Sequence, residues 1–376
     1  MVKQVYLDNN STTPLDPRVF SAMKPFFMEK FGNPASRHSY GWSAKEAVEK
    51  SRKIISAEIH ARSRDVIFTS GATESINLVI KGLCQSQKHR GKHIITQVTE
   101  HRAVLDTCAA MEKDGFDITY VAVEKDGRID PQKVRDSIRD DTFLVAIMHA
   151  NNEIGVIHPI SDIGEMCREN NIFFLVDAAQ TFAKIPLNVK GMNIDFMAGT
   201  GHKIYGPKGI GFLYINYERS PDLHPQIHGG GQERGLRSGT LPVPQVVGFG
   251  KAVELCIINR EAENREQQKL RDNLIDKIIR SLPNTLINGS MDHRLPNNIN
   301  FTFPTTDGDS LLIRLEHIAV SSGSACTSAK LESSYVLEAL GYNKELAKAS
   351  IRIGLGRFTT EDDINYAAEE IIKAIK

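Results

Sequence analysis

Ile172-Phe173-Phe174-Leu175-Val176 runs straight into Asp177-Ala178-Ala179-Gln180, and further on Ile194-Asp195-Phe196-Met197-Ala198 leads into Gly199-Thr200-Gly201-His202-Lys203. Each is a short apolar run, the length of a strand, that stops on small and polar residues. Working outward toward the amino terminus, the pattern recurs. Val66-Ile67-Phe68-Thr69 precedes Ser70-Gly71-Ala72-Thr73, and His93-Ile94-Ile95-Thr96 precedes Glu100-His101. Thr119-Tyr120-Val121 and Leu144-Val145-Ala146-Ile147-Met148 complete the set, and amphipathic stretches such as Ser161 to Asn170 lie between the runs. This alternation predicts βαβ units, and so an α/β fold with a mostly parallel sheet and helices on both faces. In open parallel sheets ligands bind beyond the carboxyl ends of the strands, so the polar residues at these exits are the candidate site.

Toward the carboxyl terminus the texture changes. A long charged helix is expected from Glu254 to Ser281, followed by a second α/β set. That set holds Asn300-Phe301-Thr302-Phe303, Ala319-Val320-Ser321, Ile351-Arg352-Ile353 and a closing helix from Glu361. A domain boundary is expected within the long helix. The chain has 376 residues, enough for two or three domains, and its 41% hydrophobic and 24% charged residues are those of an ordinary globular protein. Formal net charge is +0, so no bulk charge attracts nucleic acid or an anionic membrane. No apolar run nears the ~20 residues of a membrane span. The start, Met1 to Asp8, lacks the apolar stretch of a signal peptide, and a cytoplasmic enzyme is expected.

Gly71-Ala72-Thr73 is a small-residue turn before a helix, whose free amides favour an anion, with a hydroxyl from Thr73. Alone, such a turn is a helix cap before it is a phosphate site. Asp177 at a buried strand end needs a partner; it either caps the next helix or holds a heterocycle nitrogen protonated. Lys203, set among glycines that permit close approach of a ligand, suits a Schiff-base amine, although an arbitrary lysine is a surface charge. Phosphate loop, strand-end aspartate and glycine-flanked lysine, in that order, are the parts of a pyridoxal 5'-phosphate site.

The five cysteines, Cys84, Cys108, Cys167, Cys256 and Cys326, include no CxxC pair, which argues against a zinc site or a disulfide framework and for a reducing compartment. The first four sit in stretches of helical apolar spacing and read as buried hydrophobes. Cys326 differs. It lies in Ser321-Ser322-Gly323-Ser324-Ala325-Cys326-Thr327-Ser328-Ala329, which has no apolar face to pack, so an exposed loop thiol is expected, a nucleophile or an accident of the loop.

These residues carry a pattern that resembles the cysteine desulfurases of the IscS/NifS type, within the class-V aminotransferases and the fold-type-I pyridoxal phosphate enzymes. The resemblance spans nearly the whole chain. It rests on Tyr6-Leu7-Asp8-Asn9-Asn10-Ser11-Thr12-Thr13-Pro14, Phe31-Gly32-Asn33-Pro34-Ala35-Ser36, Thr69 to Ser75 and Asn151-Asn152-Glu153-Ile154-Gly155. Gly201 to Gly209, His228-Gly229-Gly230-Gly231, Arg237-Ser238-Gly239-Thr240, the Cys326 loop and Leu355-Gly356-Arg357-Phe358-Thr359-Thr360 complete it. The long form of the cysteine loop is that of the first group of the family; the group containing the selenocysteine-lyase relatives has a shorter one. Two departures are Thr200, where serine is common, and Gln232, where histidine often follows the glycines.

The resemblance implies a large pyridoxal-binding domain over residues 14–259, built on a mostly parallel seven-stranded sheet. A smaller α/β domain of residues 1–13 and 260–376 carries the cysteine loop at about 321–333. Lys203 is implied as the Schiff-base lysine, Asp177 as the partner of the ring nitrogen, and His101 as the group stacked on the ring and moving protons. Gln180 and Asn152 belong beside the ring oxygen and the substrate. Thr73, Thr200 and His202 are implied as holding the phosphate, and Ala72 and Gly201 as further cofactor-binding residues. Thr240 reaches the phosphate of a neighbouring subunit in a homodimer, and Arg352 clamps the substrate carboxylate. Cys326 takes sulfur from L-cysteine as a persulfide, leaving L-alanine, and hands it to an iron–sulfur scaffold or a tRNA-thiolation sulfurtransferase. No intrinsic metal is implied, beyond Cys326 as a transient ligand of a cluster on the scaffold. Other fold-type-I enzymes, an aminotransferase or a selenocysteine lyase, are the alternative. Lys376 follows the last helix directly, whereas many relatives dock their scaffold with a further tail, so weaker or differently placed docking is expected.

Overall fold

The computed structural model describes residues 3–87, 91–322 and 333–376. Its larger sheet has strands β1 (Val66–Thr69), β2 (His93–Gln97), β3 (Asp117–Val121), β4 (Thr142–Met148), β5 (Phe173–Asp177), β6 (Phe196–Thr200) and β7 (Gly211–Ile215). They lie in the order β1-β7-β6-β5-β4-β2-β3, and β7 alone runs antiparallel to its neighbours. Strand β5 explains the unbroken apolar runs. Phe174 and Val176 join one core, with Val48 and Ile55 of α1 (Ser39–Glu58). Phe173 and Leu175 join the other, with Ile76 and Val79 of α2 (Ala72–Gln87) and Val104 of α3 (Arg102–Lys113). A sheet covered on both faces has no polar side to alternate with. Helix α4 (Ile160–Glu169) closes the first core through Ile163 and Met166.

The expected strands are present with small shifts at their ends. Strand β7 is an addition. It follows the loop-like Tyr205-Gly206-Pro207-Lys208-Gly209 and opens on Gly211, where a Cβ would stand 2.6 Å from Gly71 Cα. The glycine lets β7 approach the Gly71 turn.

Helix α5 (Val243–Ser281) is 39 residues long and starts well before the expected Glu254. At 1.5 Å per residue it extends about 58 Å. Its first half packs Val246, Phe249 and Val253 beneath the large sheet, and its second half packs Leu270, Leu274 and Ile278 into a separate core. That core lies under an antiparallel sheet of β8 (Leu286–Ile287), β9 (Asn298–Thr302) and β10 (Ser350–Gly354), ordered β10-β9-β8. Helix α6 (Glu361–Ile375) completes it. Thr360 Oγ1 accepts from the Asp363 N–H and the Asp363 carboxylate accepts from the Thr360 N–H, so two otherwise open amides at the helix start are satisfied. Val5–Tyr6 pairs with Ile318–Ala319, and Leu7 and Asn9 bond to Gly354. The polar stretch after Leu7 is thereby laid across the end of β10. Among the described residues no helix is long and apolar enough to cross a membrane.

Candidate active site

Strands β4, β5 and β6 end on Met148, Asp177 and Thr200, and all three line one cavity of about 470 Å³. One end of the cavity is rich in donors. Gly71, Ala72 and Thr73 open the 16-residue helix α2 there, beside Thr200 and His202. A helix start of this kind presents unpaired amides and the positive end of the dipole. His202 Nδ1 lies 3.1 Å from Thr12 Oγ1. Burial, with the nearby charges of Lys203, Lys208 and Lys184, pushes its pKa down to about 4, so the ring is neutral near pH 7.

Asp177 is buried among these walls, and its Oδ1 accepts from Ala179 N–H at 2.9 Å. Burial raises its pKa, while His101, that same amide and Lys203 favour the charged form. His101 caps helix α3: its Nδ1 accepts from Ala103 N–H at 3.1 Å, so a neutral ring carries its proton on Nε2. The Lys203 amine donates to the carbonyls of Asn10 and Ser11, 2.5 Å from each. Gln180 binds the Asn10 backbone carbonyl at 2.9 Å and the Asn10 side chain at 3.2 Å. Asn152 Oδ1 is buried and has no hydrogen-bond partner among the described residues.

Arg352 enters the same cavity from the smaller sheet. Its Nη2 donates to Asp8 Oδ1 at 2.8 Å and to Ser11 Oγ, and its Nη1 donates to the Asn152 carbonyl at 3.3 Å. Next to Asn152, Glu153 is buried and accepts a bond from Ser334. Burial pushes the Glu153 carboxyl up to about 7, against the Ser334 bond and the Arg352 charge.

Of the described residues given a role from the sequence, all but Gly201 and Thr240 line this cavity. Gly201 is buried just behind it. Thr240 is exposed, at the end of a loop that is firmly tethered. Glu233 in that loop takes a two-pronged ion pair from Arg52 at 2.7 and 2.8 Å, and Arg237 binds Glu74 at 2.9 Å. Cys326 lies outside the described residues. Cys84, Cys108, Cys167 and Cys256 are buried in helices, as their spacing predicts. The sequence reading gave no role to Asn10, Ser11 and Thr12, which wall the cavity around Lys203. The available signal was the polar run Asp8 to Thr13, of which Asn9, Asn10 and Thr13 are buried and so require partners.

The family profile described as Aminotransferase class-V matches residues 5–366. The chain belongs to this family. Among class-V aminotransferases it stands with the cysteine desulfurases. It is 50% identical to cysteine desulfurase IscS of Rickettsia typhi (strain ATCC VR-144 / Wilmington) over 372 residues, 99% of this chain and 91% of the relative. To cysteine desulfurase IscS of Neisseria meningitidis serogroup C / serotype 2a it is 51% identical over 368 residues, 98% of this chain and 91% of the relative. A solved NifS-like protein superposes with a TM-score of 0.92 at 36% identity, covering 98% of each chain. A solved SspA in complex with cysteine gives 0.84 at 38% identity, over 96% of this chain and 100% of the other.

Class-V aminotransferases of this branch are pyridoxal 5'-phosphate enzymes. The cavity fits that group. Donors gather at one end, a buried carboxylate and an amine line the wall, and Asn152, also in the lining, has a buried Oδ1 without a partner among the described residues.

Proposed function

We propose that this chain converts L-cysteine to L-alanine and moves the sulfur to Cys326 as a persulfide, for delivery to a protein acceptor. The observation that carries the reading is the single cavity in which Lys203, Asp177 and a donor-lined end meet Arg352 from the other sheet. When bound, pyridoxal 5'-phosphate supplies an aldehyde for an amine and a ring that accepts the electron pair left at the substrate Cα.

The chain's own residues do the rest. Thr73, Thr200, His202 and the first amides of α2 hold the phosphate. Asp177 would keep a proton on the ring nitrogen, and His101, with its proton on Nε2, would meet the bound group from the same cavity. Lys203 would offer its amine to the aldehyde and, when free, would serve as the base for the substrate Cα proton. Arg352 directs the substrate carboxylate with its guanidinium. Cys326, as thiolate, takes the sulfur: a sulfur–sulfur bond forms as the Cβ–S bond breaks, the bond pair stays with the carbon skeleton, and Cβ takes up a proton so that the skeleton leaves as alanine. Sulfide and alanine formed one to one from L-cysteine in the presence of a thiol reductant test the reading. Full activity in Cys326→Ser would overturn the role of that thiol.

The same reading extends to a homodimer in which Thr240 serves the phosphate of the partner subunit. It is supported by the tethered but exposed position of Thr240 and by the outward-facing Phe27, Met28, Phe31, Tyr40 and Trp42, an apolar set suited to burial. Sedimentation showing a stable, active monomer would defeat this extension. An iron–sulfur scaffold or a tRNA-thiolation sulfurtransferase in the cytoplasm is the proposed acceptor, in keeping with four free, buried cysteines. Transfer of labelled sulfur from Cys326 to each acceptor tests the choice.

A further inference from the structure

Behind the wall that carries Asp177 lies a buried polar chain with no part in the chemistry above. Glu100, the residue before His101, is fully buried. Its Oε1 accepts from Met148 N–H at 2.6 Å, at the end of β4, and lies 2.8 Å from the amide nitrogen placed on Gln97. That amide is 3.1 Å from His158 Nε2, and His158 Nδ1 accepts from Ile129 N–H at 3.3 Å. Glu100 Oε2 has no hydrogen-bond partner among the described residues. Among the described residues no ion pair joins a cation to Glu100, while the charge of Asp177 in β5 opposes its ionisation.

The donors and acceptors of this chain determine where its protons sit. Because Ile129 N–H occupies Nδ1, His158 carries its proton on Nε2 and points it at Gln97. The Gln97 amide must therefore turn its oxygen to His158, an orientation chosen by hydrogen bonding as side-chain amides generally are. That same oxygen then meets Glu100 Oε1, and two oxygens at hydrogen-bond distance require a proton between them.

We propose that Glu100 is a positioning residue that works as a neutral carboxylic acid, donating to Gln97 and bracing the end of β4 beside Asp177. Neutrality has a consequence for the site. Met148, whose N–H Glu100 accepts, pairs with Asp177 across β4 and β5, so a charge on Glu100 would be opposed by one on Asp177. Like charges within one buried region disfavour each other. Asp177 has His101 and Lys203 to favour its charge, and burial holds the Glu100 carboxyl well above the usual range. Asp177 is left as the charged member of the pair. The Glu100 backbone carbonyl, next to His101 in the chain, accepts from the Tyr335 hydroxyl at 2.7 Å.

The inference rests on pyridoxal 5'-phosphate as the occupant for its functional half only, so its test has two arms. In the cofactor-free chain, isotope-edited infrared spectra at neutral pH should contain a protonated-carboxyl band that Glu100→Gln removes. Loss of a carboxylate band instead would overturn the assignment, whatever the protein binds. In the pyridoxal-loaded protein, Glu100→Gln removes no charge, so the pH midpoint of the visible absorption should hold within threefold in proton affinity. A tenfold shift would overturn the neutrality of Glu100. Glu100→Ala should weaken pyridoxal 5'-phosphate binding at least tenfold, with Glu100→Gln restoring it to within threefold of the wild type. Unchanged binding in Glu100→Ala would overturn the positioning role. Should Glu100→Ala fail to fold, a tenfold or greater weakening in Glu100→Gln would overturn it instead.

Discussion

The two sheets meet the same cavity in different ways. The seven-stranded sheet is apolar on both faces, with Phe174 and Val176 in one core and Phe173 and Leu175 in the other. It reaches the cavity only through its strand ends. The three-stranded sheet has two unlike faces. Ile299, Phe301, Ile351 and Ile353 point into their core, while Asn298, Asn300 and Arg352 alternate with them. Asn298 and Asn300 donate to the Glu153 carbonyl at 3.2 and 3.3 Å, and Asn298 also donates to Asn10 Oδ1 at 3.3 Å. A parallel sheet enclosed by helices has no free face, whereas an antiparallel sheet can turn one toward polar partners. In the first region chemistry and packing are separated along the strand; in the second they are separated across it.

The comparison can be broken first at the strand ends. Lys203→Ala should reduce desulfuration at least about 10³-fold and abolish the lysine-dependent visible absorption, while circular dichroism and melting stay near wild type. Borohydride fixing the cofactor to a different lysine would remove Lys203 from its role. Within a strand of the same sheet the effect should change kind. Phe174 is fully buried, so Phe174→Ala should cost about 3–5 kcal/mol in denaturant unfolding. The KM for L-cysteine should stay unchanged in whatever fraction remains folded.

On the second sheet, one substitution should touch substrate binding with little effect on the fold. Arg352→Lys keeps the charge and loses the planar fork, so the KM for L-cysteine should rise roughly tenfold, more than kcat falls. A change confined to melting temperature would show Arg352 to be a strut between sheets. The smallest effect concerns the junction of the two regions. Glu153 has a folded pKa raised to about 7, so it holds its proton longer in the folded chain than in the unfolded one. Its contribution to stability is full below the ordinary carboxylate range and is lost as pH rises through about 7. Glu153→Gln should flatten that decline and gain roughly 1–3 kcal/mol at pH 8. Melting curves between pH 5 and 8 check the sign, and a parallel decline in both proteins would assign the loss to other groups.

The division between the sheets also explains what the sequence could tell. In the large sheet, continuous apolar runs mark the strands, and residues directly after them, Asp177 and Thr200 among them, are found at the cavity because strand ends are local features. Strand β7 escaped because the glycines before it read as loop. The start of α5 escaped for a related reason: Pro244, Gly248 and Gly250 look like breakers. A Cβ on Gly248 would stand 2.5 Å from Met23 Sδ, and one on Gly250 2.8 Å from Ser51 Cβ, so these glycines serve close helix packing. Asn10 and Ser11 were illegible as partners of Lys203 because nothing local joins them; the pairing exists only once Leu7 and Asn9 are bound to Gly354. Arg352 gave no signal within its own strand, and only the family resemblance pointed to it.

Helix α5 belongs to both cores, and this makes the number of residues between them a mechanical quantity. Val253 and Leu270 are fixed to different sheets by one continuous rod. Each inserted residue would turn the far core by about 100° and advance it by about 1.5 Å. A single insertion near Ile258 would therefore swing Arg352 away from Lys203 without altering either sheet. Four insertions would bring the rotation nearly back into phase while leaving the two halves of the cavity about 6 Å apart. The distance between the lysine and the arginine is thus written in the pitch of a helix that supplies no side chain to the cavity wall.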